Sequence, residues 1–305
     1  LEELKSPINT LEWLSVCSGG FPEPLTFSLR AFNYLRRHGT RYDVVHDNQT
    51  LAYGLLGIKW MIPTVATIHH PITVDRDLEI QAQPTLVKKM WRRRWYSFLT
   101  MQGRVTRRMR HLITVSEASK IDISKAFSVS PHRFHVVPNG INTDIFHPLP
   151  QVKRADNQLI VTNSADTPLK GLKYLLLAVA ALRKSRPVKL TVIGKPKPGG
   201  SIERLVKDQA LEDCVTFTGR IDEKDFADYY ARSTLAVVPS LYEGFGLPAG
   251  EAMACGVPVI STTGGALPEV VGDAGVLVAP GDSAALARAI TELLDNPDKR
   301  LALGK

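Results

Sequence analysis

Residues 239–260, PSLYEGFGLPAGEAMACGVPVI, constrain this chain more than any other stretch. The apolar, β-rich run Ser233–Pro239 leads into glycines at 244 and 246, and Pro248 stands where a helix tolerates proline, in its first turn. The stretch therefore reads as strand, glycine loop, short helix, strand. Two carboxylates bracket the turn: Glu243 precedes the helix, and Glu251 lies one turn inside it. A helix start leaves backbone N–H groups unpaired and attracts anions. A diphosphate fits at Gly246-Leu247, with each glutamate reaching hydroxyls on one side of it. A helix start also favours a single acid for no functional reason, but Glu, seven residues, Glu across such a turn asks for a ligand.

The rest of the chain supplies a matching architecture. Strands are expected at 42–46, 63–68, 111–115 and 134–137, alternating with helices at 24–38 and 50–58 and with a helix capped by Ser116. A long amphipathic helix is expected from Pro84 to about Met109, with Val87, Trp91, Trp95, Phe98, Val105 and Met109 as its apolar stripe and a break near Gly103. Periodicity disappears between Phe146 and Asn157, so domains are expected at 1–148 and 149–305. The pattern then restarts with strands at 159–162, 188–193, 215–217, 235–238, 258–260 and 276–278, and with helices at 171–184, 202–209, 222–232, 248–255 and 282–294. Strands alternating with helices imply parallel sheets with helices on both faces. The chain opens at Leu1 without a strand and glycine turn and stops at Lys305 inside a helical pattern, so truncation at both ends is expected.

Composition narrows the classes. Of 305 residues 44% are hydrophobic and 22% charged, as in an ordinary globular protein, and no apolar run approaches the roughly 18 residues of a membrane span. Three scattered cysteines argue against disulfides and structural zinc and favour a reducing cytoplasm. The net charge of +8 is concentrated. No Asp or Glu stands between Ile80 and Ser116, where Lys88, Lys89, Arg92, Arg93 and Arg94 lie. Such a surface suits phosphate-bearing partners. Residues 84–110 could dock on an anionic membrane, and an apolar stripe packed on the sheet explains the same pattern. Nucleic acid is not expected, because no aromatic stacking platform accompanies the charge.

In open α/β sheets ligands bind beyond the carboxyl ends of strands. Lys170-Gly171, His69, Asn139-Gly140, Gly194-Lys195 and Gly219-Arg220 all follow expected strands. The frame S-x-x-E-G-F-G-L-P-x-x-E-A-M-A-C-G-x-P-V-I resembles the donor-site signature of retaining glycosyltransferases of family 4. The likeness extends from about Tyr42 to the end, through Thr67-Ile68-His69-His70, Pro138-Asn139-Gly140-Ile141-Asn142 and Lys170-Gly171. It departs at Asn163-Ser164, where that family usually has Gly-Arg.

The resemblance implies a GT-B fold, two Rossmann-like doubly wound domains facing each other across a cleft, the first on the acceptor side and the second binding the donor. It implies transfer of a sugar from a nucleoside diphosphate sugar, UDP- or GDP-linked, to an acceptor hydroxyl with retention, without metal or other cofactor. His69, Lys170 and Glu243 take the catalytic positions. Ser164, Lys170, Gly194, Gly219, Arg220, Glu243, Gly244, Phe245, Gly246, Leu247 and Glu251 form the donor site, and Asn139 and Gly140 line the cleft. In that reading Glu251 holds the ribose, and Glu243 with the 244–247 amides holds sugar hydroxyls. The place of action is the cytoplasm, with docking on the inner face of the membrane as a further expectation. A nucleotide-sugar-binding protein of the same fold without catalysis stays open as the alternative. A phosphorylase of the same fold would need a lysine motif for pyridoxal phosphate that is not found.

Overall fold

The computed structural model describes residues 6–163 and 167–305, which form two compact units, one ending at Pro138 and the other running Asn139–Lys305. In the first unit the elements are α1 (Pro7–Cys17), α2 (Glu23–His38), β1 (Val45–Asn48), α3 (Tyr53–Ile58), β2 (Thr64–Thr67), α4 (Thr73–Gln81), α5 (Leu86–Trp95), α6 (Phe98–Thr106), β3 (His111–Thr114), α7 (Glu117–Phe127) and β4 (Phe134–Val136). The strands pair in parallel in chain order, β1-β2-β3-β4. Leu55 and Ile58 of α3, Leu99 and Val105 of α6 and Ile123 of α7 bury themselves with Ala66 and Leu112 of the sheet.

The amphipathic segment departs from expectation. It is two helices, and the chain turns at Tyr96-Ser97 rather than at Gly103, which lies buried inside α6 against Phe127. Tyr96 and Phe98 are pulled into the core, whereas Leu86, Val87, Met90 and Trp91 on α5 stay exposed. A straight helix cannot serve both faces. Helices α1 and α4 have no counterpart among the expected elements.

The second unit contains β5 (Gln158–Thr162), α8 (Leu172–Leu182), β6 (Lys189–Ile193), α9 (Ser201–Asp208), β7 (Val215–Phe217), α10 (Phe226–Ala231), β8 (Leu235–Val238), α11 (Leu247–Ala254), β9 (Val259–Thr262), α12 (Leu267–Val271), β10 (Gly275–Val278), α13 (Ser283–Asp295) and α14 (Pro297–Leu303). All pairings are parallel, in the order β10-β9-β8-β5-β6-β7. Alternate residues of one strand feed opposite layers. Leu159 and Val161 pack with Leu175, Leu176 and Ile290 of α8 and α13, whereas Ile160 packs with Ala249 and Ala252 of α11 and Leu267 of α12. Both faces are covered, which is why β8 and β9 are buried at every position; β8 reads as an unbroken apolar run, and β9 ends on the buried Ser261 and Thr262.

Residues 139–148, placed in the first domain from the sequence, belong to the second unit. Phe146 is buried there, with Ile141, Ile145 and Leu149 packed beside it. Full burial of a side chain such as Phe146 is worth about 1.5–3 kcal/mol. That gain fastens an irregular segment which periodicity alone reads as a linker.

Candidate functional site

The strand order of the second sheet reverses between β5 and β8, because the chain builds β5-β6-β7 outward and then returns to lay β8 on the other side of β5. Loops diverge at such a reversal and leave a crevice at the carboxyl ends of the strands. Lys170 ends the loop after β5, and Glu243 lies in the loop after β8. They meet there: Lys170 Nζ donates to Glu243 Oε1 at 2.8 Å. Ser240 Oγ donates to the same oxygen at 2.7 Å.

Two glycines make the meeting possible. Gly171 has φ +65, and a Cβ on it would stand 1.9 Å from the Pro239 carbonyl oxygen. The β5 loop thus lies directly on the end of β8, where Leu241 N donates to the Leu169 carbonyl at 2.8 Å. Gly265 has φ +63, and a Cβ there would stand 2.2 Å from the Glu243 carbonyl oxygen, which accepts from Ala266 N at 2.9 Å. Only glycine adopts this conformation without strain at so close an approach. The Glu243 backbone is held from below by β8 and from the side by the loop after β9.

From Gly246, itself at φ 101, the chain enters α11, with Pro248 in its first turn. Gly244 and Phe245 are half-buried and Leu247 is exposed at the helix start. Glu251 sits one turn inside α11, partly buried, and its carboxyl is pushed up to about 7 by that burial and by the facing Glu223. Tyr230, wholly buried near it, is hydrogen-bonded to Thr162 Oγ1 at 3.1 Å and donates to the Pro248 carbonyl at 3.4 Å. The turn containing Asn139 and Gly140 leads to Ile141, whose Cδ1 would be 2.9 Å from a Cβ on Gly250 of α11. Gly194 and Gly219 are joined as an antiparallel bridge, Gly219 N donating to the Gly194 carbonyl at 3.1 Å. Lys195 and Arg220 beside them are exposed, and among the described residues no hydrogen bond links either to Lys170 or Glu243. Ser164 and Asp166 lie outside the described residues.

In the first unit, His69 follows β2. Its Nε2 is 2.7 Å from Asn48 Oδ1. Partial burial, then His70 and His46, lower its pKa, so the ring is neutral near pH 7. An amide oxygen can only accept, so Nε2 carries the proton and Nδ1 is bare. Sequence reasoning gave no role to Ser240, Asn48 or Gln49. Ser240 was visible as the serine of S-x-x-E, and the other two as polar residues shortly after the strand expected at 42–46.

Two family models divide the chain between them: Glycosyltransferase Family 4 matches residues 12–145 and Glycosyl transferases group 1 matches 156–296. An MMP alpha-(1->4)-mannosyltransferase of Mycolicibacterium hassiacum is 46% identical over 99% of this chain and 74% of its own length. The chain belongs to the family 4, group 1 glycosyltransferases. A D-inositol 3-phosphate glycosyltransferase of Pseudarthrobacter chlorophenolicus is 29% identical over 88% of this chain, which spans 66% of that relative's length. Sucrose-phosphate synthase from Thermosynechococcus elongatus has a similar structure, with TM-score 0.75 at 27% identity over 92% of this chain and 71% of the other. The Anabaena protein HepE, solved in complex with UDP and glucose, shares the fold with TM-score 0.71 at 20% identity, covering 90% of this chain and 74% of its own. These neighbours are GT-B glycosyltransferases, and the two parallel α/β units of this chain have that architecture.

Proposed function

We propose that this glycosyltransferase moves a hexose from a nucleoside diphosphate sugar to an acceptor hydroxyl with retention at the anomeric carbon. The observation that carries the reading is the Lys170–Glu243 pair at the reversal of the second sheet, beside the start of α11. An ammonium has three donors. One is engaged with Glu243, which leaves two for diphosphate oxygens. Glu243 Oε1 is engaged with Lys170 and Ser240, which leaves Oε2 to accept from hydroxyls of the transferred sugar. Glu251 accepts from the ribose, Gly194, Gly219 and Arg220 border the base, and His69 accepts from the donor sugar through its bare Nδ1. As the anomeric C–O bond breaks, charge grows on the diphosphate, where Lys170 and the α11 amides stabilise it; each such contact is worth about 2.7–4 kcal/mol in a transition state. The acceptor oxygen bonds to the same face of the sugar, and its proton passes to the departing diphosphate.

The 46%-identical relative is named for an alpha-(1->4) mannosyl transfer, which favours mannose here and, from an α-linked donor, retention. A panel of UDP- and GDP-linked hexoses tests the reading. The expected result is release of nucleoside diphosphate that depends on acceptor, with an α-linked product by NMR. A β-linked product overturns retention, and donor binding without transfer selects the non-catalytic alternative.

The exposed face of α5 supports peripheral docking on an anionic bilayer. Leu86 is 78% and Met90 66% exposed, interleaved with Lys88, Lys89 and Arg93. No helix among the described residues is long and apolar enough to cross a membrane.

A further inference from the structure

The loops after β1 and β2 are tied together by one side chain. Gln49 Oε1 accepts from the His69 backbone N–H at 2.7 Å, and Gln49 Nε2 donates to the His70 carbonyl at 2.8 Å. Between those two peptide groups, the His69 carbonyl accepts from Ser119 Oγ at 2.8 Å. Gln49 is itself held, because Gln102, 2% exposed, donates to the Gln49 carbonyl at 3.0 Å and to the Thr50 carbonyl at 3.3 Å.

The backbone around this clamp is strained. Gln49 at φ 63, Leu51 at φ 47 and Ile72 at φ 52 all adopt the left-handed conformation without being glycine. For a β-branched residue such as Ile72 this is uncommon, and it costs on the order of 1–3 kcal/mol per residue. Ile72 is the one β-branched residue among the described non-glycine residues at positive φ. Strain of this kind persists where surrounding bonds over-determine a geometry, and it gathers at functional sites.

We propose that Gln49 is a positioning residue for His69: by bonding the His69 N–H and the His70 carbonyl, Gln49 sets the direction in which the ring's Nδ1 points. Asn48, the neighbour of Gln49 in the chain, fixes the ring from its other edge. Backbone and ring of His69 are thus both referred to the end of β1. The inference rests on the assignment of His69 to the transferred sugar.

Gln49→Met removes both bonds at nearly constant volume, and Gln49→Glu keeps the acceptor for the His69 N–H but loses the donor to His70. Each is compared with His69→Ala and with the Gln49→Met, His69→Ala double variant. A misplacement of about 1 Å lowers a rate about 100-fold. Gln49→Met is expected to lose roughly that in kcat, with KM for the nucleotide sugar within about twofold, and Gln49→Glu to lose less. In the His69→Ala background, Gln49→Met should add nothing, since there is no imidazole left to aim. Full kcat in a folded Gln49→Met protein, or losses that multiply in the double variant, overturns the positioning role while leaving His69 in place. Normal turnover by His69→Ala removes the assignment of His69 and the positioning role with it. If Gln49→Met does not fold, Gln49→Glu decides: kcat unchanged from the parent overturns the proposal.

Discussion

Glu251 is the residue at which folding and the proposed function pull in opposite directions. Its carboxyl is raised to about 7 by burial and by Glu223, so between the ordinary carboxylate range and about pH 7 the folded protein holds a proton that the unfolded chain has released. Stability contributed at this site therefore falls as pH rises through that window and levels off above it. Glu251→Gln relieves the burial of charge, and at pH 8 the empty variant is expected to melt higher; each 1 kcal/mol gained raises Tm by about 2–4 °C. The same variant is expected to bind a nucleotide sugar about ten- to a hundredfold more weakly, because a hydrogen bond to a charged group is worth about 1.5–3 kcal/mol. In the proposed site, ribose hydroxyls donate to the ionised carboxylate. Affinity of the parent protein should therefore rise from pH 6 to pH 8, and that of Glu251→Gln should stay flat. Calorimetry with an intact nucleotide sugar, whose diphosphate is esterified at both ends and does not titrate near neutrality, reads this directly; equal slopes for both proteins would remove Glu251 from the ribose. Glu243 behaves differently. In the proposed site its partners Lys170 and Ser240 prepare it for the sugar, so Glu243→Gln should lower kcat far more than affinity for the free diphosphate. Equal losses in the two measurements would place it on the nucleotide instead.

At the scale of the element, the junction of the β5 loop with the end of β8 decides whether Lys170 reaches Glu243. Gly171→Ala forces φ +65 on a residue with a Cβ and drives that atom into the Pro239 carbonyl. The expected cost is on the order of 1–3 kcal/mol, read as a lower urea midpoint, together with a loss of turnover larger than that of stability. Unchanged turnover in this variant would show that the registry of the two loops does not matter. This junction was only half legible in the sequence. The glycine turn at 244–246 and the proline at 248 announce themselves through local backbone chemistry, and so does Lys170-Gly171. Lys170 and Glu243 are 73 residues apart, and their bond exists because β5 and β8 are adjacent, a pairing that no local pattern encodes. The split of the 84–109 segment into α5 and α6 was hidden for a related reason: the apolar residues keep helical spacing, but different parts of the segment face different surroundings.

For the molecule as a whole, the positive charge is lodged on helices of the first unit. On α5, Lys88, Lys89 and Arg93 make no ion pair with any described carboxylate, whereas Arg92 lies 3.2 Å from Glu79. If this face docks on a bilayer, each basic residue contributes about 1 kcal/mol near an anionic surface. The protein should co-sediment with vesicles containing phosphatidylserine, release at high salt, and ignore phosphatidylcholine alone. Lys88→Glu, Lys89→Glu and Arg93→Glu together should abolish co-sedimentation without lowering Tm appreciably, since Lys88 and Arg93 are exposed and Lys89 is only half-buried; retention on both vesicle types would dismiss electrostatic docking. The sequence by itself determined the α/β class, the alternation of strands and helices, the family, and the glycine turn and helix start at 244–248. Those follow from local periodicity, turn chemistry and a short motif. Only the tertiary structure decided that residues 139–148 pack with the second unit, that the strand order reverses at β5 and β8, and that Gln49 clamps His69. Each depends on contacts between residues distant in the chain, where burial and hydrogen-bond satisfaction outweigh local preference.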